Sequence, residues 1–290
     1  MKVVARAESL LDRTKNLLRR YGLRARKGLA QHFLIDEEVL GDILTVADLT
    51  LDDTVIEVGP GLGVLTRELA ERAGRVVAIE LDAKLAHILE QSLSAYKNVT
   101  IVNRDVLKVA PETVLEKPSA GYKVVANLPY YITSPVLRHF LEAGAKPEKM
   151  VVMVQKEVAE EIAAEPGRMS LLSIGVQLYG KPEVVRYVPA PCFYPAPEVD
   201  SAVLKIVPYS QPPVEISDTD GFFILVRAGF SAARKQLVNS LANGLGVPKS
   251  EVLKLLEMAE ILPQRRAETL SLEEWGRLYR YYTGVKNADN

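Results

Sequence analysis

The sequence predicts an α/β fold, with a mostly parallel, Rossmann-like sheet followed by a small all-α C-terminal domain. Short β-rich runs alternate with helical patterns from Thr54 to about Val207, as in α/β proteins with parallel sheets. Three prolines then fall within 208–213, which prevents regular structure and marks a linker, and only helical patterns follow. We therefore predict domains over 1–207 and 208–290.

The predicted elements follow one another in a regular order. A basic, helical N-terminal arm runs to about Lys27, 64–73 is predicted to be a helix, and Asp82 is a plausible N-cap for the next one. The strands are short apolar runs, and we place them at 54–58, 75–79, 99–102, 123–126, 150–154 and 203–207. Residues 222–243 carry one apolar and one basic stripe at helical spacing.

Composition excludes several classes of protein. With 48% hydrophobic and 25% charged residues, the chain is an ordinary globular sequence. The single cysteine, Cys192, excludes an internal disulfide and a cysteine-based zinc site. No apolar stretch approaches the roughly 18 residues of a membrane span, and Met1–Tyr21 is charged throughout. We expect a cytoplasmic monomer that contacts no membrane and holds no metal.

Charge is sorted along the chain, although the net charge is only −1. Residues 1–30 carry nine bases and two acids, whereas residues 31–60 carry eight acids and no base. Such sorting is expected if one face of the protein meets a polyanion. A solvated amphipathic helix explains the basic arm equally well.

Polar residues at the predicted strand ends indicate a nucleoside site, because ligands of doubly wound sheets bind beyond the carboxyl ends of the strands. A turn with three glycines over 59–63 follows the first strand, and it would let a ligand approach the backbone closely. Glu80 ends the second strand, where a carboxylate can accept hydrogen bonds from both ribose hydroxyls. Asp105 and Asn127 end the third and fourth strands.

The spacing of the glycines distinguishes two cofactors. The dinucleotide fingerprint is Gly-x-Gly-x-x-Gly, and its helix N-terminus meets a pyrophosphate. This chain has Gly59-x-Gly61-x-Gly63 with Pro60 inside the turn, a pattern more typical of methyltransferases that bind S-adenosylmethionine. A nicotinamide enzyme is therefore the second choice, and a turn that merely closes a βα loop is the structural alternative.

The segment Asn127-Leu128-Pro129-Tyr130 indicates chemistry on a nucleobase. Exocyclic amines of bases are poor nucleophiles, because their lone pair is delocalised into the ring. Two fixed acceptors, the amide oxygen of Asn127 and the main-chain carbonyl beside Pro129, could hold both amine hydrogens and localise that lone pair. Tyr130 offers a face on which an extruded base can stack. The alternative is a simple stop between strand and loop.

Five motifs of this chain occur in the same order in one known family. They are Gln31-His32-Phe33-Leu34, Val55-Ile56-Glu57-Val58-Gly59-Pro60-Gly61-Leu62-Gly63, Ala78-Ile79-Glu80, Asn127-Leu128-Pro129-Tyr130 and Phe193-x-Pro195-x-Pro197-x-Val199-Asp200-Ser201. Through them the chain resembles, over nearly its full length, the KsgA family of small-subunit (16S) ribosomal RNA adenine N6-dimethyltransferases. The resemblance implies a class I methyltransferase that uses S-adenosylmethionine to dimethylate two adjacent adenosines in a 3'-terminal hairpin during assembly of the small ribosomal subunit.

The resemblance also implies which residues form the site. S-adenosylmethionine would be held by residues near the strand ends, namely His32, Leu34, Gly59, Gly61, Glu80, Asp105 and Asn127. The flipped adenine would be held by the Asn127–Tyr130 motif and by Phe193. Pro195 and Pro197 stiffen the loop of Phe193 and present the ring at low entropic cost, although a hydrophobic plug is the commoner role of such a residue.

Two basic groups are expected to follow the phosphates of the RNA. One is the N-terminal arm, with Arg19, Arg20, Arg24 and Lys27, and the other is the C-terminal stripe, with Arg227, Arg234 and Lys235. Such contacts give affinity and position rather than sequence choice.

Three other functions remain open from the sequence. A close relative acting on large-subunit RNA shares the catalytic motifs, although the run 262–270 looks more like the small-subunit group. A non-catalytic RNA-binding assembly factor would keep the fold without the chemistry, against which the intact Glu80 and Asn127–Tyr130 motif argue. A DNA adenine methyltransferase usually carries Asp-Pro-Pro-Tyr in place of Asn127–Tyr130.

Overall fold

The structure of the chain is a computed structural model that describes residues 8–23, 32–115, 121–232 and 234–288. The helices are α1 (Leu10–Arg20), α2 (Glu37–Ala47), α3 (Val64–Ala70), α4 (Ala83–Ser92), α5 (Thr133–Leu141), α6 (Lys156–Ile162), α7 (Leu171–Gln177), α8 (Thr219–Phe230), α9 (Leu237–Leu245), α10 (Lys249–Met258) and α11 (Leu272–Ala288). The strands are β1 (Phe33–Leu34), β2 (Thr54–Val58), β3 (Arg75–Glu80), β4 (Val99–Asn103), β5 (Tyr122–Asn127), β6 (Lys149–Gln155), β7 (Gly180–Val188), β8 (Phe193–Tyr194) and β9 (Ser201–Pro208).

The chain forms two compact units whose boundaries differ from the sequence-based division at 207/208. The first unit comprises the described residues of Met1–Ala159 together with Glu183–Pro208, and the second comprises Glu160–Pro182 and Tyr209–Asn290. The segment 160–182 joins the helical unit because it supplies side chains to that core, where Ile174 and Leu178 are buried in one cluster with Phe222 and Trp275. The order of segments along the chain gives no sign of this packing.

A seven-stranded sheet organises the first unit, in the order β4-β3-β2-β5-β6-β9-β7. The five strands from β4 to β6 are parallel, and β9 runs antiparallel to β6. All six predicted strands are present, so the predicted α/β fold is confirmed. The sequence analysis missed β7, an edge strand that carries Lys181, Pro182, Glu183 and Arg186 and therefore shows no apolar run.

The position of the ligand site follows from the order of the strands. The chain adds β3 and β4 on one side of β2, and then returns to add β5 and β6 on the other side. In open α/β sheets this reversal leaves a crevice beyond the carboxyl ends of the two central strands. Here those ends are Val58 of β2, which precedes the glycine turn, and Asn127 of β5.

The helices show one prediction confirmed and one that needs correction. Asp82 is the N-cap of α4, and its carboxylate accepts from the amides of Lys84 and Leu85. The stripe predicted over 222–243 is divided between α8 and α9. Long-range hydrogen bonds stabilise the break between the two helices, since the Leu237 amide at the start of α9 donates to the Arg265 carbonyl at 2.7 Å. The break was not predicted because the sequence between the helices contains no helix-breaking residue.

Two features are absent from the part of the chain that the structure describes. None of its helices has the length and apolar character needed to cross a membrane. No group of three or more His, Cys, Asp or Glu side chains is placed to hold a metal ion.

Candidate active site

One cavity at the carboxyl ends of β2, β3 and β5 brings together most of the predicted site residues. Its lining includes His32, Leu34, Gly59, Gly61, Glu80, Asp105, Asn127, Leu128, Pro129 and Tyr130. These residues come from segments far apart in the sequence, so their convergence results from the parallel sheet. All of them belong to the first unit.

The glycine turn forms one wall of the cavity. Gly61 has a φ of +58°, in the left-handed region that favours glycine. A Cβ atom at this position would lie 3.1 Å from Cε1 of Phe33. The Gly61 amide also donates to Oε2 of Glu80 at 3.2 Å. A side chain at Gly61 would therefore disturb both the turn and the carboxylate beside it.

Glu80 is a buried carboxylate at the end of β3, with only 7% of the residue exposed. Its second oxygen, Oε1, accepts from the Asp82 amide at 2.9 Å. Burial raises the pKa of Glu80, and the backbone hydrogen bonds oppose that shift. Each carboxylate oxygen has a further lone pair, so Glu80 can accept two hydroxyl groups without losing its backbone bonds.

Asn127 is held in one orientation by the main chain of His32. Its Nδ2 donates to the His32 carbonyl at 3.1 Å, which leaves Oδ1 as the acceptor that the side chain offers. The next residue, Leu128, is fixed by a hydrogen bond from its amide to the Met153 carbonyl at 3.0 Å. No described residue donates to Asn127 Oδ1 or to the Leu128 carbonyl. The motif thus presents two acceptors that have no donor among the described residues.

Two contacts fix the side chain of Tyr130, one at its hydroxyl and one on a face of its ring. The hydroxyl lies 2.7 Å from Oγ of Ser201, a fully buried residue. The ring stacks on the His32 ring, with a centroid distance of 6.0 Å and an interplanar angle of 19°. His32 is itself anchored, since its Nδ1 lies 2.8 Å from the Pro195 carbonyl oxygen. His32 therefore holds the positions of both Asn127 and Tyr130.

Phe193 lies outside the lining of the cavity. It is 2% exposed and buried in a hydrophobic cluster with Leu34 and Val39. In the short antiparallel sheet of β1 and β8, Phe193 pairs with Leu34, which does line the cavity. In this structure Phe193 therefore supports the wall from behind. A direct contact of its ring with adenine stays a prediction.

Glu57 is a lining residue to which the sequence analysis gave no role. It is 2% exposed, and its Oε2 has no hydrogen-bond partner among the described residues. Burial, with a smaller contribution from the negative charge of Glu80, raises the pKa of Glu57 to about 8. The sequence did contain a signal, since charged residues are rarely fully buried and Glu57 interrupts the apolar strand β2.

The basic residues expected to bind RNA are distributed over both units. Arg19 and Arg20 are exposed near the end of α1, in the first unit. The three bases Arg227, Arg234 and Lys235 are exposed in the second unit. Arg24 and Lys27 lie outside the described residues.

Comparisons with known proteins give a consistent result. A family model described as ribosomal RNA adenine dimethylase matches residues 22–284. A ribosomal RNA small subunit methyltransferase A from Dehalococcoides mccartyi is 54% identical over 283 residues, with 97% of each chain covered.

Two solved structures resemble the chain over most of its length. One is a dimethyladenosine transferase from Plasmodium falciparum, with a TM-score of 0.76 and 27% identity over 88% of this chain and 98% of that one. The other is the 23S rRNA methyltransferase ErmE, with a TM-score of 0.69 and 31% identity over 86% of this chain and 98% of that one. The Rossmann-like methyltransferase fold and the nearly complete family match lead to one conclusion: the chain belongs to the ribosomal RNA adenine dimethylase family.

Proposed function

We propose that this protein dimethylates adenine N6 on two adjacent adenosines in a 3'-terminal hairpin of small-subunit ribosomal RNA, with S-adenosylmethionine as methyl donor, during assembly of the subunit. The observation that supports this most strongly is the pair of open acceptors at Asn127 and Leu128. The identity of 54% to a small subunit methyltransferase A supports the small subunit as substrate.

The residues of the cavity fit S-adenosylmethionine. Glu80 can accept both ribose hydroxyls while keeping its two backbone bonds. Asp105 offers a carboxylate near the end of β4 for the adenine amine of the cofactor. The turn around Gly61 allows the cofactor to approach the backbone closely. Glu57 has a buried oxygen without a hydrogen-bond partner in the described part of the chain, which suits a polar or cationic group of the cofactor. When bound, the cofactor supplies an electrophilic methyl group on a sulfonium.

The acceptors at Asn127 and Leu128 would make the target nitrogen nucleophilic. When both hydrogens of the N6 amine are held by Asn127 Oδ1 and the Leu128 carbonyl, the nitrogen lone pair is drawn out of conjugation with the ring. The two acceptors would thereby aim the nitrogen lone pair at the methyl group that the bound cofactor would supply. Positive charge appears on N6, the two acceptors stabilise it, and the proton leaves to water. Catalysis arises from positioning and preorganised electrostatics.

Tyr130 would hold the plane of the extruded adenine. One face of its ring is occupied by His32, so the opposite face is the one available to a base. The bond between the Tyr130 hydroxyl and Ser201 fixes the direction of the ring. A rigid aromatic platform binds a base at low entropic cost.

Replacing Glu80 with Gln should weaken the binding of S-adenosylmethionine about tenfold or more, because a charged hydrogen-bond acceptor for the ribose is lost. Titration calorimetry measures the effect on the purified protein. Glu90→Gln is the matched control, since Glu90 is an exposed residue of α4. Equal affinities for the wild type and Glu80→Gln would exclude the ribose contact.

Replacing Arg227, Arg234 and Lys235 together with Gln should make RNA binding less dependent on salt. Each lost phosphate contact lowers the slope of log K against log salt by roughly 0.7 to 0.9, so three should lower it by about 2 to 3. The affinity of the variant for a ribosomal RNA fragment is measured over a series of salt concentrations. An unchanged slope would contradict the assignment of RNA binding to the predicted C-terminal domain 208–290.

The substrate is tested by transfer of tritiated methyl from S-adenosylmethionine to undermethylated small subunits, large subunits and duplex DNA in parallel. We expect label in the RNA of the small subunit alone. Label in the large subunit would instead support the function of ErmE, to which the chain is 31% identical. Cofactor binding without transfer to any substrate would support a non-catalytic assembly factor.

A further inference from the structure

An exposed tyrosine and a half-buried lysine form a pair beside the end of β6, outside the lining of the cavity. Tyr187 lies near the end of β7 and is 51% exposed. Lys156 directly follows β6, and its Nζ lies 5.3 Å from the centroid of the Tyr187 ring. Among the described residues, no carboxylate forms an ion pair with Lys156. About half of Tyr187 is thus open to a ligand, and no described carboxylate neutralises the charge of Lys156.

Asp200 fixes the backbone on both sides of this pair. Its carbonyl accepts from the Lys156 amide at 3.0 Å. Its Oδ1 accepts from the amide of Ala190, three residues after Tyr187, at 2.9 Å. The same residue therefore anchors the segments that carry the lysine and the tyrosine. A pair on a fixed backbone loses little further entropy when it binds a ligand.

The pair is connected to the catalytic motif by a short series of contacts. Ser201 follows Asp200 and pairs with Gln155 in the register of β6 and β9. The Ser201 hydroxyl lies 2.7 Å from the hydroxyl of Tyr130. Ser201 and Asp200 thus connect Tyr130, the proposed stacking platform for adenine, to Lys156 and Tyr187.

The neighbouring residue shows which face of the sheet carries the ring. Arg186 forms ion pairs with Glu38 and Asp42 of α2. Successive side chains of a strand point to opposite faces. Tyr187 therefore projects from the face of β7 that is turned away from α2. The Lys156 ammonium lies over its ring, and about half of Tyr187 stays exposed.

We propose that Tyr187 and Lys156 bind one unpaired nucleotide of the substrate RNA that lies outside the target adenosine. The base stacks on the tyrosine ring, and the phosphate contacts the ammonium. Stacking on an aromatic ring requires an exposed base but no particular base. The pair therefore selects unpaired RNA beside the modification site. This inference rests on the proposed function, because it takes RNA as the substrate.

The test compares the affinities of variants for two RNAs of equal length, a hairpin with an unpaired loop and a blunt duplex. Tyr187→Val keeps a strand-forming residue but removes the ring, whereas Tyr187→Phe keeps the ring. Leu51→Ala is the control. Leu51 is exposed and precedes the amino end of β2, whereas the cavity lies at the carboxyl end. Lys156→Ala is measured over a series of salt concentrations. Thermal melting of each variant reports whether it is folded.

We expect Tyr187→Val to bind the hairpin roughly 5- to 100-fold more weakly, with an unchanged affinity for the duplex. Tyr187→Phe and Leu51→Ala should bind both RNAs as the wild type does. Lys156→Ala should lower the salt slope on the hairpin by roughly 0.7 to 0.9.

Three results would overturn the proposal. They are wild-type affinity of Tyr187→Val for the hairpin, an equal loss on both RNAs, and a loss in Tyr187→Phe as large as in Tyr187→Val. If Tyr187→Val has a lower melting temperature than the wild type, the proposal is tested by Lys156→Ala instead. An unchanged slope of log K against log salt in Lys156→Ala would then exclude the site. Methyl transfer by the wild type tests the proposed function separately, because these binding measurements need no cofactor.

Discussion

Asn127→Ala should lower kcat for methyl transfer about 100- to 1000-fold, the size of effect seen when one preorganised group that stabilises developing charge is removed. The physical reason is the loss of one of two acceptors that hold the amine of the target adenine. The Leu128 carbonyl alone would hold the amine less firmly and would stabilise less of the positive charge that develops on N6. Single-turnover transfer to undermethylated small subunits measures the chemical step.

Asn127→Asp provides the matched comparison. The aspartate keeps an oxygen acceptor but loses the amide group that donates to the His32 carbonyl at 3.1 Å. It should therefore be more active than Asn127→Ala and less active than the wild type. Binding of S-adenosylmethionine, measured separately, should change much less than kcat in both variants. Normal turnover by Asn127→Ala with unchanged cofactor binding would remove Asn127 from the mechanism.

The stability of the cofactor-free protein should fall between pH 5 and pH 8 because of Glu57. Burial raises the pKa of Glu57 to about 8 from the ordinary value of 4.5. Between these values the unfolded chain loses the proton while the folded chain keeps it. The free energy of unfolding therefore decreases as pH rises, by at most about 1.4 kcal/mol per pH unit for one proton. Above pH 8 this contribution becomes constant.

Urea denaturation of the wild type and Glu57→Gln at pH 5, 7 and 9 measures this effect. Glutamine does not titrate, so the variant should gain stability relative to the wild type as pH rises. Glu80 also has a raised pKa, but it is present in both proteins and its contribution cancels in the difference. The exposed Glu90→Gln serves as control. A difference between wild type and Glu57→Gln that is the same at all three pH values would contradict the raised pKa.

The sequence was sufficient to predict six of the seven strands of the sheet and the end of the sheet that carries the site. Buried parallel strands such as β3 and β6 contain continuous apolar runs, and their carboxyl ends must converge. For that reason Gly61, Glu80 and Asn127 could be placed around one cavity before any contact was known. The amphipathic edge strand β7 has no such run, and it was missed.

The contacts that position the catalytic side chains could not be predicted from local sequence. The bond from His32 to Pro195 joins residues 163 positions apart, and the bond from Tyr130 to Ser201 spans 71 positions. The buried Phe193 pairs with Leu34, which is also far away in the chain. Such contacts follow from the folded backbone, because no periodicity or spacing encodes them.

The identity of the methylated nucleoside decides whether this protein dimethylates adenine N6. Undermethylated small subunits are incubated with the protein and S-adenosylmethionine, and their RNA is digested to nucleosides and analysed by mass spectrometry. We expect N6,N6-dimethyladenosine in the small-subunit RNA, and its loss when Asn127 is replaced with Ala. Methyl groups on another base or on ribose, or dimethyladenosine formed equally well by Asn127→Ala, would show that the proposed reaction is wrong.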